Sequence, residues 1–498
     1  MKAVVSVEQM RRMDRDEIEA GTSAAELMRR AGEAALAAFP WGDGTVILCG
    51  NGNNGGDGFV LASLLAKKGV SCRLVLLEEN RSEVAKGYFE ECMSLCVPWS
   101  IFSDEETLSD ATAVADCLFG TGFRGEVIGR AKALIDRVNL LQVPILSVDI
   151  NSGMNGDSGI GGAVVRSTKT LAIGSFKYGH FLGDAKDVIG ELACADIGIP
   201  LCADHHTHLI EAADCACLFP KRKQNSHKGS YGYVGILGGC AEYAGAAKLA
   251  NLSCAALRSG CGVVTLAVPK GLENSVSPYL LESTLLPLSD DGNGHARLVP
   301  NELDRFLQGK RAIAVGMGWG RSPENRRILA YLLEHAEIPM VIDADGLNTL
   351  AEMERSWIRR AAGRLILTPH PKELERLSGL TVQQILEDPV TAAEGYAGEN
   401  GVILLLKGPC TVVTDGSKTY LVDRGCAGMA TAGSGDVLSG VLAGLLGASE
   451  PTAKTVACGA YLTGLAGELA ERDVNAVSML ASDTVAHLPM AVSMLMTK

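Results

Sequence analysis

Apolar and polar positions along the first half of the chain alternate between two periods, which together predict strands joined by helices. Between residues 7 and 39 the apolar residues recur at helical spacing, and the glycine of "EAGTSAAEL" divides this stretch into two helices. We expect strands at "TVILCG", "SCRLVLLE", "TAVADCLFG", "VPILSVDI" and "KTLAIGS", and helices at "DGFVLASLLAKKG", "SEVAKGYFEECMSL" and near 131–138. This βαβ series predicts a parallel sheet whose ligands bind beyond the carboxyl ends of its strands.

A second alternating series fills the carboxyl-terminal half. Its strands are expected at "YVGILGG", "GVVTLAVP", "RAIAVGMG", "PMVIDADG", "RLILTPH" and "GVILLLKG", with an alanine-rich helix over residues 245–259. The alternation stops near residues 200–230, so we divide the chain into domains 1–215 and 216–498. No convincing repeat relates the halves, and we predict two different α/β domains.

Composition agrees with this division and narrows the classes of function. A length of 498 residues exceeds one ordinary core, and 58 glycines suit strand-to-helix turns. The net charge of −13 argues against nucleic acid and anionic membranes as partners. The cysteine count is odd and no C-x-x-C occurs, which indicates reduced thiols. No signal segment or membrane-spanning apolar run is present, so we expect a cytoplasmic protein.

The stretch "CGNGNNGGDGF" follows the first strong strand of the series. Gly50, Gly52 and Gly55 form G-x-G-x-x-G, which by rule predicts a dinucleotide-binding dehydrogenase. We expect the next helix to start near Asp57. The stretch carries more polar side chains than a phosphate cradle needs: Asn51, Asn53, Asn54 and Asp57. A role other than cofactor binding therefore stays open.

Polar side chains recur at three successive strand ends of this half. Asn54, Asp116 and Ser152 supply an amide, a carboxylate and a hydroxyl, oxygen donors suited to an alkali or alkaline-earth cation. Asp149 is a lone acid at the same edge and can exchange protons with a ligand. Each residue alone is as well explained by a helix cap or a turn. Their coincidence at one sheet edge favours a site.

The strongest chemical signal of the second half is "GMATAGSGD". A glycine turn that ends at a helix start presents backbone N–H groups to negative charge, as an anion hole for a transferring phosphoryl group would. Asp436 at that helix start can accept a proton from an attacking hydroxyl. A simple capping aspartate predicts Gly-Asp, but not the whole run.

Further polar groups lie at neighbouring strand ends. The segment "KGPCT" follows a very apolar strand and can contact a nucleotide. Asp343 and Asp345 of "VIDADGLN" can organise Mg²⁺ together with phosphates. His370 of "TPHPKE" and the glycine turn "GMGWG" also lie at strand ends. The sequence contains no G-x-x-x-x-G-K-[ST] loop and no protein-kinase motif set, so phosphoryl chemistry here would follow another design.

The motifs "GNGNNGGDGF", "DCLFGTGFRGE" and "SVDINSG" closely resemble the epimerase domain that repairs hydrated NADH and NADPH. The resemblance covers about residues 5–215 and implies a Rossmann-like α/β/α sandwich. It implies K⁺ bound by Asn54, Asp116 and Ser152. It implies contacts with the hydrated nucleotide from Asn53, Asn54, Gly55, Gly56, Asp57, Gly120, Thr121, Gly122, Phe123, Arg124, Gly125, Glu126 and Asp149. Asn151 stands where the family would be expected to carry proline.

Residues of about 220–495 resemble the ribokinase-like superfamily and, more narrowly, the ADP-dependent NAD(P)H-hydrate dehydratases. The motifs are "HKGSYGYVGILGG", "AGAAKLA", "GMGWG", "TPHPKE", "KGPCT" and "GMATAGSGD". The resemblance implies hydrate contacts from Ala246, Gly318, His370 and Asp436. It implies nucleotide contacts from Lys407, Gly408, Pro409, Cys410, Thr411, Cys426, Ala427, Gly428, Met429, Ala430, Thr431, Ala432, Gly433, Ser434 and Gly435. Lys372 replaces the glycine of the usual "HPGE".

The two resemblances together imply a bifunctional repair enzyme. Its first half would interconvert the R and S epimers of NADHX and NADPHX, with Asp149 as acid and base. Its second half would dehydrate the S epimer with ADP and Mg²⁺, with Asp436 as catalytic residue, giving AMP and phosphate. Self-association into a homo-oligomer is expected. Three other interpretations stay open: a small-molecule kinase fused to a nucleotide-binding module, an NAD-dependent dehydrogenase, and a first half that is only a nucleotide-sensing or scaffold module.

Overall fold

The computed structural model describes residues 1–103, 105–255 and 258–496, which fold into two compact units. The first unit comprises Ala3–His205, and the second comprises His206–Lys498 together with Met1–Lys2. The domain division expected from the sequence falls at the end of a short helix, Ala212–Cys215. That division stays a prediction of where independently folding domains would separate.

The first unit contains the strands and helices that the sequence predicts, in the same order, together with several short elements that it did not indicate. Its strands are β1 (Lys2–Val5), β2 (Thr45–Cys49), β3 (Cys72–Leu76), β4 (Trp99–Ile101), β5 (Ala113–Cys117), β6 (Ile145–Val148), β7 (Lys169–Ile173), β8 (Phe176–Lys177) and β9 (Glu191–Ala195). Its helices are α1 (Val7–Glu19), α2 (Ala24–Ala38), α3 (Asn53–Lys67), α4 (Glu83–Ser94), α5 (Gly129–Val138) and α6 (Ala185–Val188).

The sheet of the first unit has the strand order β4-β3-β2-β5-β6-β7-β9, and every pair in it is parallel. The expected parallel sheet is confirmed. Strands β2 and β5 are buried along their whole length because apolar clusters cover both faces. The chain runs from β2 outward to β4 and then returns to β5 on the other side of β2. This reversal is a topological switch point, where loops diverge and leave a crevice.

The second unit is larger and is also built from alternating elements. Its strands are β10 (Thr207–Leu209), β11 (Tyr233–Leu237), β12 (Val263–Pro269), β13 (Thr284–Leu288), β14 (Ala312–Val315), β15 (Met340–Ile342), β16 (Leu365–Leu367), β17 (Ile403–Leu406), β18 (Thr411–Thr414) and β19 (Thr419–Val422). Its helices are α7 (Ala212–Cys215), α8 (Ala244–Ala255), α9 (Glu273–Val276), α10 (Pro300–Leu307), α11 (Pro323–His335), α12 (Asp345–Ala351), α13 (Arg355–Arg360), α14 (Pro371–Ser378), α15 (Val382–Glu387), α16 (Pro389–Asn400), α17 (Ser434–Leu446), α18 (Ala453–Val474) and α19 (Ala481–Met496).

The sheet of the second unit has the order β13-β12-β11-β14-β15-β16-β17-β18-β19-β10. Its pairs are parallel except β17–β18 and β18–β19, which form an antiparallel meander. A second switch point lies between β11 and β14. Helices α17 and α18 are buried along most of their length, which explains their nearly continuous apolar sequences. Among the described helices, none combines the length and the apolar character needed to cross a membrane.

Candidate active sites

The loops after β2, β5 and β6 open into a cavity of about 510 Å³ at the switch point of the first unit. We call it the first cavity. This cavity is lined by most of the residues that the sequence analysis expected to contact the hydrate: Asn53, Asn54, Asp57, Gly120, Thr121, Gly122, Phe123 and Asp149. Five other expected contacts are not among the described residues that line it: Gly55, Gly56, Arg124, Gly125 and Glu126. Arg124 instead forms an exposed ion pair with Asp157 at 3.0 Å.

The polar stretch after β2 is the beginning of a helix. The sequence placed the helix start near Asp57, but α3 begins at Asn53, with Gly52 as its N-cap residue. Glycines have low helix propensity, and "NNGGDG" therefore resembled a loop. Because Gly52 offers no capping side chain, the N–H groups of the first turn are left for other partners. A helix start of this kind, lined here by Asn53 and Asn54, favours negative charge in the cavity.

The glycines of this stretch let the protein's own backbone segments approach one another. A Cβ on Gly50 would lie 1.8 Å from the carbonyl oxygen of Leu118, and one on Gly55 would lie 2.1 Å from the carbonyl oxygen of Gly50. A Cβ on Gly52 would meet nothing within 4 Å. Gly50 is therefore required for packing between the loops after β2 and β5, and Gly55 for packing of the first turn of α3 against the backbone of Gly50.

Asp149 has both carboxylate oxygens bound. Its φ of 68° is unusual for a residue with a side chain. Oδ1 accepts a hydrogen bond from Lys177 Nζ at 2.6 Å, and Oδ2 accepts one from the N–H of Thr121 at 3.1 Å. The Lys177 side chain is 1% exposed. Burial alone would raise the pKa of Asp149, but the Lys177 ammonium outweighs it and the pKa lies below its ordinary value. Asp149 is therefore an ionised base at neutral pH.

His180 fixes the backbone behind Asp149. Its Nδ1 accepts a hydrogen bond from the N–H of Lys177 at 2.9 Å, so Nε2 carries the proton and donates to the carbonyl oxygen of Asp149 at 2.8 Å. Burial lowers the pKa of His180 to about 4. The imidazole is therefore neutral and positions Asp149 without adding charge.

The three side chains expected to bind K⁺ surround the backbone of residues 118–120. Asn54 packs against Gly120, and none of the described residues bonds either polar atom of its buried amide. Ser152 Oγ donates to Asp116 Oδ1 at 2.5 Å and accepts from the N–H of Phe119 at 2.8 Å. Burial raises the pKa of Asp116, partly offset by its hydrogen bonds from Ser152. A buried amide that no protein atom bonds requires a partner of another kind, such as a cation or a ligand. The K⁺ assignment stays a prediction with a suitable donor set.

Sequence reasoning missed one wall of the first cavity and the lysine beside Asp149. Helix α1 contributes Met10, Arg11, Asp14 and Ile18 to the lining, and β8 contributes Lys177. A signal was present in the sequence, because an acid at position 14 lies four residues from both Met10 and Ile18, within an apolar helical stripe. For Lys177 the local sequence offers no comparable signal.

The two departures from the expected family patterns leave the sites intact. Asn151 is buried outside the cavity lining, donates to the carbonyl oxygen of Val165 at 2.8 Å and accepts from Thr170 Oγ1 at 2.5 Å. Lys372 is 62% exposed and pairs with Glu375 at 3.2 Å. Its charge therefore faces solvent and its neighbour on the same helix.

The loops after β11 and β14 of the second unit border a second cavity of about 690 Å³. Its lining is Glu242, Tyr243, Ala246, His295, Gly318, Gly320, Arg321 and Asp345. Ala246 and Gly318 are expected hydrate contacts, whereas His370 and Asp436 are not part of the described lining. Gly318 has a φ of 64°, and a Cβ there would lie 2.6 Å from the carbonyl oxygen of Tyr243. Sequence reasoning missed Tyr243, His295 and Arg321, which have no motif of their own.

A buried charge network lies at the first turn of α17. Lys407 Nζ contacts Asp343 Oδ1 at 2.9 Å and Glu373 Oε2 at 3.7 Å, and Ser439 Oγ donates to Asp343 Oδ2 at 2.8 Å. A Cβ on Gly435 would lie 3.5 Å from Lys407 Nζ. The structure therefore brings together Lys407 and Gly435, the ends of the two segments expected to contact the nucleotide.

Asp436 lies in the first turn of α17, which begins at Ser434 after Gly433 with a φ of 95°. Burial and then the nearby Asp343 carboxylate raise the pKa of Asp436 to about 7, against the opposing effect of Lys407. The hydroxyl of Ser434 is buried and has no hydrogen-bond partner among the described residues. This turn thus offers unpaired donors beside an acid that can exchange a proton near neutral pH.

The remaining expected contacts are held by helix caps. His370 is the N-cap of α14, and its Nδ1 accepts from the N–H groups of Lys372 at 3.1 Å and Glu373 at 3.2 Å. The segment before α17 is tied to α18, because Glu471 Oε2 accepts from the N–H of Gly428 at 2.8 Å. The nucleotide and hydrate assignments of these residues stay predictions.

Comparisons with known proteins match both units. Residues 234–490 match the family described as NAD(P)H-hydrate dehydratase, and residues 19–179 match the family described as YjeF-related protein N-terminus. The chain is 37% identical over 463 residues to the bifunctional NAD(P)H-hydrate repair enzyme of Moorella thermoacetica, covering 89% of this chain and 86% of that one. It is 32% identical over 502 residues to the enzyme of the same name from Coxiella burnetii, covering 97% and 98%.

A solved structure supports the fold of the second unit. A ribokinase-like superfamily protein from Enterococcus faecalis superimposes with a TM-score of 0.50 at 21% identity, covering 59% of this chain and 97% of that chain. Together with the family matches, this confirms the expected fold class: a Rossmann-like first domain and a ribokinase-like second domain.

Proposed function

The chain belongs to the family of bifunctional NAD(P)H-hydrate repair enzymes, and on that premise we propose how each unit carries out its reaction. It is an epimerase and a dehydratase in one chain: it interconverts the R and S hydrates of NADH and NADPH and dehydrates the S form. The observation that carries the proposal is that each unit has its own polar site at a switch point, one with Asp149 and the other with Asp436 nearby. The dehydrogenase interpretation gives way, because relatives spanning almost the whole chain are repair enzymes.

In the first unit we assign Asp149 as the group that exchanges a proton with the hydrate. Losing and regaining the hydroxyl at C6 requires proton transfer, and a carboxylate held by Lys177 and Thr121 is fixed in one orientation. The N–H groups at the start of α3 and the Asn53 and Asp57 side chains would hold the polar parts of the dinucleotide.

K⁺ would be held by Asn54, Asp116 and Ser152. The amide of Asn54 has unused oxygen capacity, and carboxylate, hydroxyl and amide oxygens suit a hard cation. When bound, K⁺ would supply positive charge next to the loop that contains Gly120. Asn54 and the backbone of 118–120 would then be ordered together, which fixes one wall of the cavity.

In the second unit we assign Asp436 as the base that takes the proton of the C6 hydroxyl as that oxygen receives a phosphoryl group from the nucleotide. Phosphate then leaves from C6 with the C6–O electron pair and a proton leaves C5 to solvent, which restores the C5=C6 double bond of the reduced nicotinamide. Phosphate is a far better leaving group than hydroxide, which is the benefit of the phosphoryl donation. The N–H groups of the first turn of α17, together with Lys407 nearby, would stabilise the transferring group.

Mg²⁺ would enter with the nucleotide. The described residues contain no cluster of three His, Cys, Asp or Glu that would hold a metal on its own. The oxygens of Asp343 bond Lys407 and Ser439. Among the described residues, those of Asp345, which also lines the second cavity, accept only neutral hydrogen bonds, from the N–H of Gly320 and the amide of Asn348. This fits Mg²⁺ bound mainly through phosphates and water, since that ion typically takes only one or two carboxylates from a protein.

ADP is the proposed co-substrate, and the test is to incubate hydrated NADH with ADP or with ATP and follow the reduced-nicotinamide absorbance. We expect ADP to restore that absorbance and to yield AMP and free phosphate. Recovery with ATP alone would contradict the choice of nucleotide. A stable phosphorylated product without recovery of NADH would favour the small-molecule kinase instead.

We also propose that the chain self-associates and works in the cytoplasm, with no nucleic acid or membrane as partner. The net charge of −13 supports the absence of nucleic acid and anionic membranes as partners, and the free thiols of the described cysteines support the cytoplasm. Light scattering on the purified full chain checks the first point.

A further inference from the structure

Helix α1 places a carboxylate in the first cavity, and the reaction proposed above assigns no role to it. Asp14 lines the cavity together with Asp149 and Lys177. Its helix is held by an apolar face formed by Val7, Met10 and Met13, so the position of Asp14 is fixed by packing. Within the described parts of the chain, the Asp14 carboxyl group has no hydrogen bond or ion pair. A half-buried acid facing a substrate cavity without a partner is unusual for a purely structural residue.

Asp14 and Asp149 are two of the three acids that line this cavity, the third being Asp57, and their surroundings differ. Asp149 is neutralised by Lys177 at 2.6 Å and by the N–H of Thr121 at 3.1 Å, so it is stable as a carboxylate. Asp14 has no such partner. Burial raises the pKa of Asp14 to about 6, helped by the charge of Asp149 and opposed by that of Lys177. Two acids with their pKa values pushed apart are the usual arrangement for one proton donor and one acceptor.

We propose that Asp14 is the second proton-transfer residue of the epimerisation, working opposite Asp149. This rests on the proposed function of the first unit. Asp14 donates its proton to the C6 hydroxyl as the C6–O bond breaks, and the lone pair of the ring nitrogen forms the C6=N1 iminium. Water is released. A water molecule then adds to the other face of C6, and its proton goes to the Asp149 carboxylate.

The proton balance closes through solvent. Each conversion moves one proton from Asp14 to Asp149, and Asp149, held by Lys177, returns it to water while Asp14 takes one up. In the reverse conversion the two residues exchange roles, as microscopic reversibility requires. No oxidant, reductant or additional group is needed.

Several charged groups face Asp14 and set the form of its pH dependence. Lys177 favours the ionised form of Asp14, whereas Asp149 disfavours it. Asp57 of α3 interacts with Asp14 as well: burial, then the charges of Asp149 and Asp14, raise the pKa of Asp57. Arg11 of the same helix also lines the cavity. Since the acid must be protonated, the rate from the R hydrate should fall as pH rises through about 6, the pKa of Asp14.

The test is to measure epimerisation of the purified R hydrate by the full chain without nucleotide, so that the dehydratase is idle. Asp14→Asn should lower kcat by about 100-fold or more with little change in KM, and should abolish the fall of rate at higher pH. Asp14→Glu should restore part of both. The matched control is Asp16→Asn, an exposed acid two residues along the same helix, which should change neither.

Three results separate the possibilities. An unchanged KM for the R hydrate and an unchanged calorimetric unfolding transition in Asp14→Asn show that the first unit is folded. The role of Asp14 is refuted if Asp14→Asn retains the epimerisation rate or still shows the fall of that rate as pH rises. It is also refuted if Asp16→Asn lowers kcat as much as Asp14→Asn does. If Asp149→Asn retains full epimerisation, it is the proposed function of the first cavity that fails.

Discussion

Asp149 follows strand β6 and Asp436 lies in the first turn of α17, and their surroundings drive the pKa values of these two acids in opposite directions. The Lys177 ammonium overcomes the burial of Asp149 and lowers its pKa. At Asp436, burial and the Asp343 carboxylate prevail over Lys407, because Lys407 bonds Asp343 directly. Asp149 is therefore always ready as a base near neutrality, whereas Asp436 titrates within the physiological range.

The pH dependence of the dehydratase should follow Asp436. As a base it must be ionised, and its ionised fraction grows as pH rises through about 7. We expect kcat/KM for the S hydrate with ADP to rise by about tenfold between pH 6 and 8 and then level off. Asp436→Asn should lose about 100-fold or more at every pH.

A neighbouring substitution provides the control for that profile. Asp343→Asn removes a negative charge near Asp436 and frees Lys407, and both changes lower the pKa of Asp436. The rising limb should then move to lower pH, whatever the effect on absolute rate. A limb that stays in place, or moves upward, would show that another group controls the rate.

At the scale of elements, the first site depends on how closely the loops after β2 and β5 approach. That approach is set by the contact of Gly50 with Leu118. Gly55 in turn lets the first turn of α3 pack against Gly50, while Gly52 only caps α3. The glycines of one motif therefore have unequal structural weight. Substitutions at two of them can separate packing from ligand binding.

Gly55→Ala should destabilise the first unit, because its Cβ would lie 2.1 Å from the carbonyl oxygen of Gly50. We expect a loss of about 2 kcal/mol or more in the free energy of unfolding, a fall of about 4–8 °C in Tm, together with loss of epimerase activity. Differential scanning calorimetry of the full chain measures the shift. Gly52→Ala is the matched control and should cost less than about 1 kcal/mol, since its Cβ meets nothing within 4 Å. Equal shifts in the two variants would contradict the packing argument.

The sequence predicts the long elements and the start of α17 well, but it predicts the start of α3 poorly. Strong apolar runs such as β2 and β17 were found because both faces of these strands are buried. Short strands such as β8 (Phe176–Lys177) carry too few residues for a period to be visible. The start of α3 was placed late, since "NNGGDG" disfavours a helix unless tertiary contacts impose one.

Site residues were predicted where they belong to a motif at a strand end. They were missed where a residue from a distant part of the chain joins the site. Asp149 and Asp436 belong to recognisable runs, whereas Asp14 and Lys177 meet Asp149 only through the fold. The partnership of Lys407 with Asp343 likewise spans 64 positions and has no local pattern. Pairings of this kind are decided by topology, which composition and spacing do not encode.

At the scale of the whole molecule, the sheets of the two units share one arrangement: in each, the strand order reverses at a switch point beside a central strand. The two units nevertheless catalyse different reactions. Each unit buries its own apolar clusters, and each has its own polar cavity. The substrate of both reactions is a small molecule that can leave one site and enter the other by diffusion. Complete repair of a mixture of epimers needs both activities, but the fold of neither unit requires that they be supplied by the same chain.

Mixing two variants tests this independence. On a mixture of R and S hydrates with ADP, Asp149→Asn should stop at the S fraction apart from slow spontaneous epimerisation, and Asp436→Asn should recover almost no NADH. Equal amounts of the two variants should together recover NADH completely, because the epimerase of one chain supplies the S hydrate to the dehydratase of the other. The measurement is the final amplitude of the reduced-nicotinamide absorbance, compared with that of the unaltered chain. A mixture that also stalls at the S fraction would mean that the hydrate must pass between the two sites of a single chain.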